Sequence, residues 1–319
     1  MTNKTQITEF IIIGFTSSKE LQFFLFPFFF LAYLLTFTQH VKIIMVIHMD
    51  YHLHTPMYFF LVRLSFLDIS YVTVTVPRML GSFITGNKTI SKLKTISFVG
   101  CFTQSYIYFL LGTTDYILFS VMSFDRYVAI CNPLNYSTIM TWKRCIQLAI
   151  GCWVGGFLSI SIPTYLKAQL PFCGPNEINH FFCDSVAVMK LACMDTSFIQ
   201  LIDFFLFSLV LLGSIIFVVF TYTCIILAIV RIPSASRQKK AFSTCSSHFI
   251  IMSVSYGSSI FIYVTPTQGT FLDTNKTMSA VSTFLMPILN PFIFTLRNQN
   301  FSAAHLVNIF GSSIHLKSL

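Results

Sequence analysis

The chain has 319 residues, of which 55% are hydrophobic and only 10% charged, with 37 phenylalanines and two tryptophans. A soluble domain carries about 25% charged residues, so this composition cannot cover a water-facing surface, and lipid must cover much of it. The net charge of +9 does not indicate nucleic acid, because the Lys and Arg residues are dispersed among loops between apolar runs, with no basic stripe or aromatic RNA platform.

In chain order, Met1 to Glu20 lacks the basic start, apolar core and small-residue cleavage site of a secretory signal. The apolar run from Leu21 is therefore expected to act as an uncleaved anchor. A spanning helix needs roughly 17 to 25 mainly apolar residues. Seven such spans are predicted: Leu21 to Ile47, Pro56 to Leu80, Ser97 to Phe124, Cys145 to Leu166, Phe198 to Val230, Ala241 to Val264 and Met278 to Leu296. Polar residues interrupt the second and third, and the fifth is long enough to project beyond the bilayer or tilt. The expected organisation is an extracellular N-terminus over 1–20, an all-α seven-transmembrane helix bundle over 21–297, and a cytoplasmic segment over 298–319. In that last segment Phe301, Ala304 and Leu306 to Phe310 suggest a short interfacial helix, with a frayed tail as the alternative.

Lys and Arg counts barely decide orientation. Lys143, Arg144, Arg231, Arg237, Lys239 and Lys240 mark one side; Lys88, Lys92, Lys94, Lys167 and Lys190 mark the other. The repeat of Lys88-Thr-Ile-Ser91 as Lys94-Thr-Ile-Ser97 looks like a small duplication that added basic residues to one loop. Two further signals favour an outside N-terminus. Glycosylation sequons start at Asn3, Asn87 and Asn275, all on the N-terminal side, although such tripeptides arise by chance and Asn135-Tyr136-Ser137 lies opposite. Cys101, Cys173, Cys183 and Cys193 also fall on the N-terminal side, where an oxidising compartment would let them pair in any of three ways.

Ionisable groups inside a membrane are expensive and usually functional, which singles out Asp68 and Asp115; the plainer alternative is an acid that only staples helices. Asp125-Arg126-Tyr127, taken alone, reads as a charged helix end at the headgroups. Arg63 lies five residues before Asp68, so the two do not share one helix side, and Arg63 is expected to snorkel outward. Faces at one-turn spacing outline a candidate small-molecule pocket: Tyr108, Phe109, Gly112 and Thr113 on the third helix; Leu206, Phe207 and Val210 on the fifth; Tyr256, Ser259, Ile260 and Tyr263 on the sixth; Ala280 and Thr283 on the seventh. Ordinary helix packing uses the same aromatic stripes.

Four motifs in order resemble the odorant receptor family of rhodopsin-like G-protein-coupled receptors, in its larger, tetrapod-type class. His54-Thr-Pro-Met-Tyr-Phe-Phe-Leu61 opens the second helix, and Met122-Ser-Phe-Asp-Arg-Tyr-Val-Ala-Ile-Cys131 ends the third. Lys240-Ala-Phe-Ser-Thr-Cys-Ser-Ser-His248 opens the sixth, and Pro287-Ile-Leu-Asn-Pro-Phe-Ile-Phe294 closes the seventh. The resemblance implies a plasma-membrane receptor with an outside N-terminus glycosylated at Asn3. It pairs Cys101 with Cys183 and Cys173 with Cys193. It implies that Asp125 holds Arg126 at rest and frees it to engage a stimulatory G protein, with Tyr127, Lys239, Lys240, Asn290 and Pro291 in the same switch. It makes Asp68 and Asp115 a polar core that could hold sodium. No cofactor is expected, and no enzymatic activity, since the sequence offers no nucleophile-base pair or metal-ligand cluster in a plausible site. The expected ligand is a neutral or weakly polar odorant, since no cation in the pocket set would pair with a carboxylate. A ligand of about ten heavy atoms would bind with micromolar-scale affinity at best.

The chain departs from the family pattern at Gln39-His40, where Gly-Asn is usual, and at Phe294, where a Tyr hydroxyl is usual; both put signalling efficiency in question. The rivals are a receptor of the same fold for a non-odorant metabolite, and a transporter or channel, which would show ligand-dependent flux without a G protein.

Overall fold

The structure is a computed structural model that describes residues 7–15, 18–85, 94–173, 175–264 and 271–297. In chain order its helices are α1 (Lys19–Met49), α2 (Pro56–Thr85), α3 (Phe98–Cys131), the short α4 (Tyr136–Ile139), α5 (Trp142–Ala168), the short α6 (Ser185–Met189), α7 (Ser197–Val230), α8 (Ala235–Val264) and α9 (Phe271–Arg297). Among the described residues, seven are long, 27 to 34 residues each.

Every predicted span lies on one of these long helices, with Ser97 as the N-cap of α3. The helices run further than hydropathy showed: α3 continues to Cys131, α8 begins at Ala235 and α9 at Phe271. At ~1.5 Å per residue a 34-residue helix is about 50 Å long, whereas the hydrocarbon layer is only ~30 Å thick. The ends therefore stand among headgroups and water, where hydropathy carries no signal. Five of the helices, α1, α2, α3, α5 and α7, are long and apolar enough to cross a membrane. α8 and α9 are comparably long but more polar, and their Ser255, Ser259, Ser279 and Thr283 are buried inside the bundle. The outer surface is apolar: Phe23, Phe24 and Phe28 on α1 and Phe204, Ile216 and Phe220 on α7 are exposed, as suits helices bathed in lipid.

Local chemistry sets the helix starts. Pro56, whose missing N–H costs nothing at a first helical position, opens α2. Ser97 Oγ accepts from the Gly100 N–H, Thr141 Oγ1 from the Arg144 N–H, and the Asp184 carboxylate from the Val186 and Ala187 N–H groups.

One end of the bundle carries a three-stranded sheet in the order β2-β1-β3, with β1 (Glu9–Ile12), β2 (Thr95–Ser97) and β3 (Glu177–Ile178). β1 pairs antiparallel with β2, Glu9 opposite Ser97, and parallel with β3, Ile11 opposite Glu177. The first twenty residues, expected only as a terminal segment, thus supply the central strand. Phe10 and Ile12 are 0% and 1% exposed, and Phe10 packs on Phe98 and Phe172. Gly14 ends the strand at φ 90°, a left-handed conformation that favours glycine, and its N–H reaches the His180 carbonyl. Two disulfides lie at this end. Cys101–Cys183 ties α3 to the loop between α5 and α7, and Cys173–Cys193 closes that loop on itself.

The sequence reading counted Lys167 as a loop charge. Instead it is buried in the last turn of α5, where Nζ lies 3.0 Å from Asp203 Oδ2 on α7 and 2.8 Å from Ser185 Oγ on α6. Arg63 is exposed, as expected, with its guanidinium 4.8 Å above the Phe59 ring.

Candidate functional site

Among the described residues, two small chambers that share lining residues lie between the long helices. The upper one, nearer the sheet, has about 30 Å³ open to water-sized occupants and is lined by Tyr71, Tyr108, Phe109, Gly112, Thr113, Tyr116, Phe207, Ser259 and Ser282. The lower one has about 50 Å³ and is walled by Leu67, Asp68, Tyr71, Leu111, Gly112, Asp115, Tyr116, Ser255, Ser258, Ser282, Met286 and Pro287. Such spaces admit water rather than a ten-atom ligand, and a ligand of that size would fit only if side chains such as Phe109 and Phe207 turned aside.

Tyr108, Phe109, Gly112, Thr113, Phe207 and Ser259, all expected in a pocket, meet in the upper chamber. Leu206 and Val210 are half-buried on α7 and line neither chamber. Ile260 is 40% exposed on the outer surface, a correction to its place in the pocket: Ser259 faces inward, and the next residue on a helix is turned by ~100°. Ala280 packs with Phe29, Tyr108 and Phe284, and Thr283 donates to the Ser279 carbonyl at 2.7 Å; both are buried in packing rather than on a chamber wall. The side chains of Tyr263 and Lys240 lie outside the described residues, as do Asn3, Asn87, the Asn275 side chain and residues 298–319.

Sequence reasoning missed Tyr71, Tyr116 and Ser282. Tyr116 had a signal, since it sits one turn beyond Gly112 and Thr113 on the same face. Its hydroxyl hydrogen-bonds Ser259 on α8, and its ring stacks 5.6 Å from Tyr256. Ser214 of α7, also missed, donates to the Tyr116 carbonyl at 2.7 Å and is bonded by Ser120 and Tyr256. α3, α7 and α8 thus share one hydroxyl network beneath the upper chamber.

In the polar core, Asn290 Nδ2 donates to Asp68 Oδ2 at 2.8 Å, and His40 Nε2 lies 3.4 Å from the same oxygen. His40 Nε2 also meets the Pro287 carbonyl at 2.8 Å. In a helix that carbonyl would accept from the N–H four residues on, but residue 291 is proline and has none. The Pro287–Pro291 spacing frees an acceptor, and His40 fills it. Asp115 stands apart: its Oδ1 is buried and, among the described residues, has no hydrogen-bond partner.

At the opposite end from the sheet, Arg126 Nη2 and Nε donate to Asp125 Oδ2 at 2.6 and 3.1 Å. The other carboxylate oxygen accepts from Tyr136 Oη at 2.8 Å. Burial and the neighbouring Asp125 carboxylate push the Tyr136 phenol well above its usual range. Tyr127 is half-buried and stacks on Phe124, Pro291 is buried beside Asn290 on α9, and Lys239 is exposed near the start of α8. Among the described residues, no group of three or more His, Cys, Asp or Glu is placed to hold a metal ion.

A bundle of seven long helices, with buried acids at mid-depth and an Arg–Asp contact at the end of α3, defines a rhodopsin-like receptor. Squid rhodopsin has the same fold, with a TM-score of 0.66 at 17% identity, covering 90% of this chain and 80% of that one. The family described as olfactory receptor matches residues 29–310. The human olfactory receptors 6J1 and 6T1 are 51% and 47% identical, over 92% and 95% of this chain and 83% and 92% of their own. The mouse olfactory receptor 6E1 is 47% identical over 94% of each. The chain belongs to the olfactory receptor family, and it is accordingly a G-protein-coupled odorant receptor, a membrane protein and not an enzyme.

Proposed function

We propose that this receptor sits in the plasma membrane with its N-terminus outside, binds small, mainly apolar odorants in the upper chamber, and activates a stimulatory G protein to raise cAMP. The observation that carries this reading is Tyr116. It walls both chambers and bonds Ser259 on α8, and its carbonyl anchors Ser214 on α7. A ligand that displaces its side chain therefore acts on α8 directly. No described residue lining the upper chamber is charged, which suits the apolar part of a ligand. The switch is a two-state one, and the odorant's leverage equals its difference in affinity between the states. In the active state the cytoplasmic end of α8 moves outward, Arg126 leaves Asp125, and Arg126 with the Lys239-Lys240 region meets the G protein. Asn290 and Pro291 give α9 its adjustable segment. The carboxylates of Asp68 and Asp115, with the Ser255 and Ser258 hydroxyls nearby, form an oxygen donor set that fits a small hard cation. Those two acids would hold a sodium ion, which would supply fixed positive charge between α2 and α3.

The test is cAMP output against an odorant panel, with surface staining. An odorant is expected to raise cAMP, and Arg126→Ala to abolish the response at equal surface level while leaving ligand-induced thermal stabilisation intact. Full signalling by Arg126→Ala would overturn the coupling role.

A further inference from the structure

The two acids of the lower chamber differ in their surroundings. Asp68 is met by Asn290 at 2.8 Å and His40 at 3.4 Å. Asp115 Oδ1 is buried and has no hydrogen-bond partner among the described residues. A buried carboxylate that shares its chamber with a second acid is costly unless a cation joins it. The surroundings offer acceptors for such a cation: the Ser258 hydroxyl donates to the Ser255 carbonyl at 2.9 Å, which leaves its oxygen free to accept.

The upper chamber leads to this acid. Tyr71, Gly112, Tyr116 and Ser282 line both spaces, so the two chambers adjoin. Gly112 lies three residues before Asp115, on the same side of α3. A Cβ at Gly112 would stand 3.8 Å from the Tyr71 ring, so a larger side chain would fill the neck. Below the neck is an unpaired acid; above it are the rings of Tyr108, Phe109 and Phe207. Tyr108 and Asp115 are seven residues apart, about 10 Å along the helix at ~1.5 Å per residue.

A sodium ion between the two acids would satisfy Asp115 in the ligand-free receptor and leave the upper chamber empty, and an ammonium would displace it. A primary alkylammonium satisfies both acid and chamber, with its head on Asp115, its first carbons beside the Tyr71 and Tyr116 faces, where a cation is also favoured, and its tail among the rings. Resting on the odorant-chamber reading above, we infer that Asp115 is the cation-binding floor of the ligand site, and that the receptor takes small amphiphilic primary amines with the ammonium on Asp115 and the alkyl tail in the upper chamber.

The experiment uses the full-length receptor in lipid nanodiscs at neutral pH and reads the thermal unfolding midpoint against added ligand. Hexylamine is compared with hexanol, its neutral counterpart, in sodium chloride and in N-methylglucamine chloride. Hexylamine is expected to half-saturate at roughly tenfold lower concentration than hexanol, as a hydrogen bond to a charged group implies. Sodium should weaken hexylamine and leave hexanol unchanged. Asp115→Asn should erase the amine preference while hexanol still stabilises, Asp115→Glu should keep it, and Gly112→Val should remove it by closing the neck. Equal binding of amine and alcohol, or an amine preference that survives in Asp115→Asn, overturns the inference and leaves the odorant chamber standing. If neither these ligands nor any panel odorant stabilises the receptor, the chamber reading itself falls. Should Asp115→Asn not fold, the sodium competition on the unaltered chain decides: hexylamine binding indifferent to sodium overturns the inference.

Discussion

At the sheet end, three distant stretches of chain are joined by β-pairing, two disulfides and the buried Lys167–Asp203 contact. Gln104 adds to this, donating to the Val74 carbonyl at 2.8 Å and accepting from the Cys183 N–H at 3.3 Å. At the other end the described ties are reversible. Arg126 and Tyr136 share one carboxylate, and Tyr222 reaches the Cys245 carbonyl across α7 and α8 at 3.4 Å. The first end is fastened covalently and the second by non-covalent contacts alone, and in the proposed switch the first stays in place while the second exchanges partners. Unequal fastening implies unequal consequences when each tie is cut.

The largest effect is expected at Cys101→Ser. It opens a covalent loop of 82 residues, whose closure is worth roughly 4 kcal/mol, enough to remove most folded receptor from the cell surface in antibody staining. Opening the Cys173–Cys193 loop of 20 residues should cost about 1 kcal/mol less. Equal losses would show that the sheet end is not organised around the longer bridge.

Next is acid. His180 lies buried in the loop against Phe181 and Phe182, and burial foremost, with Lys276 nearby, lowers its pKa to about 4, while Asp184 acts the other way. An unfolded histidine titrates near ~6.5. The stability contributed by neutral His180 is therefore complete above that value and is lost as pH falls from about 6.5 towards 4, where it levels off. The cost at the acid limit is on the order of a few kcal/mol. Melting curves between neutral and mildly acidic pH should show this slope, and His180→Gln should flatten it; an unchanged slope would refute the assignment.

Smaller effects belong to the reversible end. Tyr136→Phe removes one of the groups holding the Asp125 carboxylate. A hydrogen bond to a charged group is worth about 1.5 kcal/mol or more, and if part of that restrains the resting state, basal cAMP should rise several-fold at equal surface level. A basal level that does not move would mean the clamp does not restrain the switch. The mildest change is expected from His40→Asn with Phe294→Tyr, which restores the family pattern and should raise odorant-driven cAMP by about twofold, under 1 kcal/mol in the switching equilibrium. Unchanged output at equal surface level would mean that His40 on the Pro287 carbonyl is an adequate substitute.

The long helices were legible because lipid imposes a long run of apolar residues, and a sequence window can see that directly. The pocket was legible only in part. Periodicity tells which residues share a face, not how far that face is rotated in the bundle: Ser259 lines the chamber, whereas Ile260, named with it, is exposed on the outer surface. Tyr71 was missed because α2 was left out of the pocket. β1 escaped because four residues pairing with partners more than eighty residues away leave little local pattern beyond the Phe10–Ile12 alternation. Lys167 and Asp203 each look like ordinary charges near helix ends, and their union depends on α6 folding between them. The four-residue spacing of Pro287 and Pro291 leaves a carbonyl free, a consequence not read from the sequence, and nothing local shows that His40, 247 residues away, reaches it.

The placement of β1 also bears on how the receptor is best handled in the laboratory. Because residues 9–12 form the middle strand, removing them would strip both flanking strands of their partner at once and uncover Ile96 and Ile178, which are now buried. An epitope or leader added to improve production should therefore join ahead of Ile7 through a flexible spacer, and a folded fusion partner placed directly against Glu9 would compete with the sheet for its own edge.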